Sequence, residues 1–329
     1  MENKIYPIAV IGGGSAGTMA VLRSVLNNDE TLFFPGSPKN RKKSRAFWVA
    51  KVENTPAHLG YKKGIADPNK ETLDFLQEGN FKDKLNLIKN RGVETISKNS
   101  DGVFELVDNK GDLYKANFVI LCTGVMDVQP EINGSIQPIL PYANVQLVDY
   151  CLRCDGHHVF GKDTGVIGHN SGAAWVAIML YERYKTPSMT IYTHGKEPEF
   201  NEEVSNLIEL YKINVNKEEI IDVNGNAKEL KLEGFKLKNG EDVKVDFAFV
   251  SLGMIIYNDL AKQLGADLDE RGFVITDSKG HTSVEGLYVA GDLRAGIKNQ
   301  IYTAWDSAVD SSDAINALLR RKKRQELLV

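Results

Sequence analysis

Apolar residues in this chain gather in short runs that stop at glycine, with polar or helix-periodic stretches between them. Ile5–Ile11 (IYPIAVI) is such a run, and a helix-like stretch over 15–27 follows it across three glycines. That order predicts a strand, a glycine-rich turn and a helix, the opening of a dinucleotide-binding βαβ unit. A second run, Thr31–Phe34, ends at Pro35-Gly36, and a polar stretch leads on to Asn54. The pattern predicts a helix over 70–91. Residues 103–107 and 113–115 flank Asp108-Asn109-Lys110-Gly111 as a hairpin, and 118–121 read as a buried strand closed by Cys122-Thr123-Gly124.

Pro130, Pro138 and Pro141 then mark a linker, after which the opening pattern returns. Residues 163–167 read as a strand, 168–172 as a turn, 173–184 as a helix and 189–193 as the next strand. A second hairpin, 229–237 with 242–245, turns at Asn239-Gly240, and a strand over 247–251 stops at Leu252-Gly253. The tail adds a strand over 286–290, then Gly291-Asp292, then a closing helix from Gln300. The expected fold is α/β, with two Rossmann-like dinucleotide-binding domains, the second inserted in the first. Residues 1–127 and 250–329 make the first domain, and 128–249 the insert.

The length of 329 residues suits two domains better than one core. A formal net charge of -4 lacks the basic surplus that phosphate neutralisation requires, which excludes a general nucleic-acid binder. No run approaches the ~20 apolar residues of a membrane span. Met1-Glu2-Asn3-Lys4-Ile5 enters the first strand without the basic and apolar regions of a signal peptide, so a cytoplasmic protein is expected. Two basic clusters interrupt the acidic average: Lys39, Arg41, Lys42, Lys43 and Arg45, and the run 320–324. A solvated loop and a helix end matched to its dipole account for them. The functional alternative is a docking face for an acidic partner or an anionic membrane surface.

Gly12-Gly13-Gly14-Ser15-Ala16-Gly17 is a G-x-G-x-x-G turn. Its first glycine permits the tight turn, its second lets a pyrophosphate reach the backbone, and its third lets the helix pack on the strand. The acid expected at the end of the second strand is missing, since that strand ends Phe33-Phe34-Pro35. Two further glycine-closed strand ends, Thr123-Gly124 and Gly291-Asp292, resemble the turns of two-dinucleotide-domain flavoproteins, whose aspartate contacts the flavin's ribityl or pyrophosphate region. The three together are far more specific than any one, and they point to bound FAD.

Cys151 and Cys154 form a Cys-x-x-Cys, the spacing at which two sulfurs close a small disulfide ring and one thiol lowers the other's pKa. The chain has 3 cysteines, too few for a secreted framework, so a disulfide here is expected to be catalytic. A zinc site needs a second ligand pair; His157 and His158 follow so closely that four ligands crowd one turn, so no metal is expected. Asp155, next to Cys154, is placed to act as general acid to a thiolate. Cys122, within an apolar run, is read as inert. For His157 and His158 a packing role is preferred to a proton relay.

The order of glycine turn, Val52-Glu53-Asn54, Thr123-Gly124, Cys-x-x-Cys-Asp-Gly, second glycine turn, Gly291-Asp292 and closing helix resembles the low-molecular-weight thioredoxin reductases over nearly the whole chain. The resemblance implies that Cys154 faces the flavin and Cys151 attacks the partner disulfide. It further implies that Asn54 hydrogen-bonds the flavin and that Gln300 and Ile301 lie over its ring, with Asn299 in place of the family's arginine. A homodimer and a thioredoxin-like or other thiol/disulfide partner are implied as well.

The second turn departs from that pattern. Where the family has G-x-G-x-x-A for NADPH, this chain has Gly168-His169-Asn170-Ser171-Gly172-Ala173, with a side chain where the pyrophosphate approaches. The family's arginines for the 2′-phosphate are replaced in His194-Gly195-Lys196 and at Asn201, and a phosphomonoester wants bidentate arginines. The expectation is that NADPH is not used. In this the sequence is most similar to the pyridine-nucleotide-independent branch, above all the diflavin-linked disulfide oxidoreductases of cyanobacteria, which hold a second FAD. Trp175, Tyr192 and Trp305 are candidates to stack on such a flavin, though core packing is the commoner use of aromatics. Two alternatives stay open: an NADPH-dependent thioredoxin reductase with an altered nucleotide site, and a non-catalytic redox sensor.

Overall fold

Strands that are apolar on both faces need cover on both faces, and the unbroken runs of this chain become the parallel strands of two separate sheets. The computed structural model describes residues 4–49 and 51–328, so residues 1–3, part of the leader reading, lie outside the described residues. The chain divides into two units. Met1–Lys51, Ala57–Met126 and Ile255–Val329 form one; Val52–Pro56 and Asp127–Met254 form the other. The short segment Val52–Pro56, read from the sequence as part of the first domain, groups with the second because Glu53 bonds to histidines there.

The first unit is built on a sheet with strand order Leu85–Leu87, Thr31–Phe34, Ile5–Ile11, Leu113–Leu121, Phe104–Asp108, Val93–Lys98. Leu113–Leu121 is one strand where the sequence suggested two. Its first half pairs antiparallel with Phe104–Asp108, and its end pairs parallel with Leu287–Val289. The helix expected over 70–91 is Ala66–Gln77 instead. Gly79, at φ +58, redirects the chain, and Leu85 and Leu87, two residues apart, join the sheet beside Thr31–Phe34. Leu32, Phe33 and Phe34 are fully buried, each contributing about 1.5–3 kcal/mol of apolar burial.

Helix Ser15–Leu26 lies against the closing helix Ile301–Glu326 through the small buried residues Ala16, Ala20, Ala304, Ala308 and Ser312. Ser312 Oγ donates to the Ala20 carbonyl at 3.2 Å, and Arg23 Nε donates to Asp313 at 2.6 Å. Part of each basic cluster is committed to such pairs. Arg320 binds buried Asp29, Arg41 binds Asn90, and Arg45 binds Asp292. No helix among the described residues is long and apolar enough to cross a membrane.

The second unit has a parallel sheet in the order Asn214–Asn216, Met189–Tyr192, Thr164–Ile167, Phe247–Val250, Val148–Asp149. Helix Ser171–Tyr184 follows the central strand, buried through Ala173, Ala174, Ala177, Ile178 and Leu180. A separate antiparallel sheet joins Ile220–Asn226, Lys231–Leu237 and Asp242–Lys244. Tyr192 is core here, edge-on to Phe235 at 5.3 Å, and burial pushes its hydroxyl up to about 12. Trp305 belongs to the first unit and packs against His58. Tyr192, in the core beside Phe235, therefore serves packing within this unit.

Candidate active site

The two glycine turns share an extended N-cap but differ in the side chain it carries, Gly14 in the first and Asn170 in the second. In the first, a Cβ at Gly12 would meet the Cys122 carbonyl oxygen at 2.2 Å, and one at Gly17 would meet the Gly12 oxygen at 1.7 Å. These contacts fix strand and helix tightly together. Gly14 is the N-cap of Ser15–Leu26, makes no side-chain cap, and has no described atom within 4 Å of where a Cβ would stand. The space beside this uncapped helix N-terminus is therefore open at Gly14, which is the fit a dinucleotide pyrophosphate needs. Gly291 comes close on the same side: a Cβ there would lie 2.6 Å from that of Ala16. Its N–H donates to Ser307 Oγ at 3.0 Å, and neighbouring Asp292 accepts from Arg45 at 3.2 Å.

Thr123 donates its hydroxyl to the Tyr257 carbonyl at 2.6 Å, and Gly124 accepts the Tyr257 N–H at 3.1 Å. Those two bonds tie the second strand end into the unit. Gln300 caps the closing helix, its N–H donating to Thr303 Oγ at 3.2 Å, and Ile301 is the helix's first residue. Asn54 Oδ1 accepts the Thr55 hydroxyl at 3.4 Å, within Val52–Pro56. Cys122 is buried against Gly12, and desolvation raises its thiol pKa steeply, so it stays a neutral thiol.

The second turn is filled by its own side chains. Asn170 Oδ1 accepts the Ala173 N–H at 3.0 Å, capping helix Ser171–Tyr184. Ser171 Oγ accepts the Asn201 N–H at 2.9 Å and donates to the Glu199 carbonyl, while the Glu199 N–H donates to the His169 carbonyl at 2.7 Å. Gly168 and Gly172 remain tight: a Cβ would meet Ser251 O at 2.5 Å at the first and Asn170 Oδ1 at 3.2 Å at the second. His194 spends both ring nitrogens on backbone, one accepting the Ile220 N–H at 3.1 Å and the other donating to the Glu131 carbonyl at 2.9 Å.

Cys151 and Cys154 are joined in a disulfide. Cys151 stands at the N-cap of the single turn Leu152–Asp155, where its Sγ accepts the Cys154 N–H at 3.2 Å. Asp149 and His158, which flank the dithiol in the sequence, belong to a cluster that the sequence did not assemble. His158 Nδ1 meets Asp149 Oδ2 at 2.9 Å, and its Nε2 meets Glu53 Oε2 at 2.7 Å. His157 Nε2 reaches the same Glu53 oxygen at 2.9 Å. The hydrogen bond to Asp149 raises the His158 pKa to about 9, and that from His158 lowers Glu53. Burial raises Asp149, and burial, then the Asp149 charge, brings Asp155 up to about 7. A carboxyl raised this far is suited to exchange protons with a thiolate. Both histidines, expected to pack, are hydrogen-bonded to carboxylates, and His158 also packs against the Phe247 ring. The cluster's sequence signal was the His-His pair directly behind Cys-x-x-Cys-Asp-Gly.

Residues 6–310 match the family model for pyridine nucleotide-disulphide oxidoreductases. The chain is 27% identical over 313 residues to the thioredoxin reductase of Mycoplasmopsis pulmonis, covering 92% of this chain and 94% of that one. It is 25% identical over 313 residues to the thioredoxin reductase of Bacillus subtilis, covering 92% and 91%. Its fold matches the crystal structure of thioredoxin reductase from Streptococcus pyogenes with a TM-score of 0.81 at 22% identity, over 97% of this chain and 99% of that one. With three glycine-closed strand ends and a disulfide backed by an acid, the chain belongs to the pyridine nucleotide-disulphide oxidoreductase family, as an FAD-dependent disulfide oxidoreductase of the thioredoxin reductase type.

Proposed function

We propose that the enzyme exchanges electrons between FAD and the Cys151–Cys154 disulfide, and between that pair and a thioredoxin-like protein, without drawing on NADPH. The observation that carries the last point is Asn170, whose side chain takes up the helix N-terminal donor that a pyrophosphate would otherwise share. His194, bonded to backbone on both ring nitrogens, supports it, because that side chain is not left to receive a 2′-phosphate. FAD, when bound, gives or takes the electron pair. Cys151 attacks the partner disulfide, forming a mixed disulfide, and Cys154 then displaces the partner as the intramolecular bond returns. Asp155 supplies and recovers the proton. The relatives named thioredoxin reductase are the reason for choosing a thioredoxin-like partner over other disulfides.

A second FAD in the inserted unit is the companion reading. Its support is His169, whose Nδ1 is buried with no hydrogen-bond partner among the described residues, beside a retained strand–turn–helix. Equilibrium titration of the holoenzyme with NADPH tests the main reading: no saturation is expected below roughly millimolar nucleotide. Micromolar binding would contradict it. Flavin extracted per chain tests the companion reading, with two expected if it holds and one if it does not.

A further inference from the structure

The acid–base groups of the His158 cluster are linked in series. His158 holds Asp149 on one ring nitrogen and Glu53 on the other, and Glu53 passes the line on to His157. Asp149, Asp155 and His158 each offer one atom within 4.8 Å of the others, a gap short enough for one water to span. The line runs from buried Asp149, through partly buried His158 and Glu53, to exposed His157. An imidazole with a carboxylate on each nitrogen must donate on both sides, so it is held doubly protonated.

We propose that His158, fixed between Asp149 and Glu53, is a positioning residue that sets the proton balance of Asp155 and refills it from solvent through Glu53 and His157. The inference rests on the dithiol chemistry of the family and is independent of the electron donor. Opening the sulfur–sulfur bond takes up two electrons from the flavin and leaves two sulfur anions. Asp155 gives its proton to one of them and becomes a carboxylate. His158 returns a proton through the Asp149 side and gains one from the Glu53 side, so each proton reaching sulfur is replaced by one from water. Oxidation of the dithiol runs the same line backwards.

The charges around the histidine give the inference its sign. Asp149 and Glu53 both favour the protonated form of Asp155, and the His158 cation opposes it. Besides the two carboxylates, His158 faces the His157 ring at 4.4 Å and the Phe247 ring at 5.7 Å. Lys162 lies over that phenylalanine's ring at 4.7 Å, and its charge acts on Asp149. Removing His158 therefore raises the Asp155 pKa, and removing the Asp149 charge lowers it. A role confined to packing produces no such opposite pair.

The test is a single-turnover reaction of dithionite-reduced holoenzyme with dithiobis(nitrobenzoate), followed between about pH 5 and pH 10. The wild-type rate is expected to rise through an inflection near 7, as Asp155 becomes able to take the thiol proton. His158→Gln should move that inflection to higher pH and slow the neutral reaction several-fold, and Asp149→Asn should move it to lower pH. If the buried Asp149 variant fails to fold, Glu53→Gln at the open end carries the same downward sign. Inflections that stay in place, or that move the same way in both variants, overturn the inference.

Discussion

Asn170 Oδ1 accepts the backbone N–H of Ala173 at 3.0 Å, whereas Gly14, at the equivalent place in the first βαβ unit, leaves its helix uncapped. The two N-caps share extended backbone, φ -101 and ψ 171 at Asn170 against φ -80 and ψ -166 at Gly14. At the N-cap the backbone does not separate the turns; the side chain does. An N-terminus that has already satisfied its own donor offers less to a phosphate.

The exchange of these residues is the sharpest mutational consequence. Gly14→Asn should cap its own helix and weaken FAD binding by at least about tenfold, ~1.4 kcal/mol. Flavin content of the purified variant, with far-ultraviolet circular dichroism unchanged, is the check. A variant that purifies with full flavin would mean that the cap and the phosphate can coexist.

In the second turn the reverse change should open a site. Asn170→Gly with Lys196→Arg is expected to give measurable NADPH binding, at a helix-capping loss of a few tenths of a kcal/mol. Gly195 is left alone, because its φ of +78 strains any side chain placed there. Asn170→Ala, which removes the cap without glycine's freedom, should cost about 1 kcal/mol in thermal or urea unfolding.

At the disulfide, Cys151→Ser should abolish turnover while leaving flavin bound. Asp155→Asn should slow thiol–disulfide exchange by roughly 100-fold or more and erase the pH inflection near 7. A variant that keeps the wild-type profile would remove Asp155 from the proton path.

Much of this was legible in the sequence because each glycine-closed strand end is local: Gly12 to Gly17, Cys151 to Asp155 and Gly291-Asp292 are short stretches read in order. What escaped was set by partners far along the chain. Leu85 and Leu87 look like part of a helix until Thr31–Phe34 supplies a sheet edge. Residues 113–115 and 118–121 look separate because one strand changes neighbours midway, from Phe104–Asp108 to Leu287–Val289. Glu53 and His158 are separated by 105 positions, so no spacing rule joins them. The self-capping of Asn170 was half legible: its residue type marked an obstruction, and the structure adds the N–H that it occupies.

Stability should carry the mark of His158. Its folded pKa of about 9, raised first by the bond to Asp149, lies above the ordinary imidazole value of 6.5. The contribution is therefore complete below about pH 6.5 and is lost as pH rises through about 9. Urea midpoints of the wild type should fall across that window, and those of His158→Gln should fall less. Equal slopes would mean that the histidine is not held charged in the folded state.

The central claim, that NADPH is not the electron source, is tested most directly by mixing the anaerobic holoenzyme with excess NADPH and recording the flavin absorbance. The flavin should stay oxidised with NADPH and bleach when dithionite is then added, with the Cys151 and Cys154 thiols appearing alongside. Rapid bleaching by NADPH would contradict the account and make the chain an NADPH-dependent thioredoxin reductase whose second turn binds the nucleotide despite Asn170.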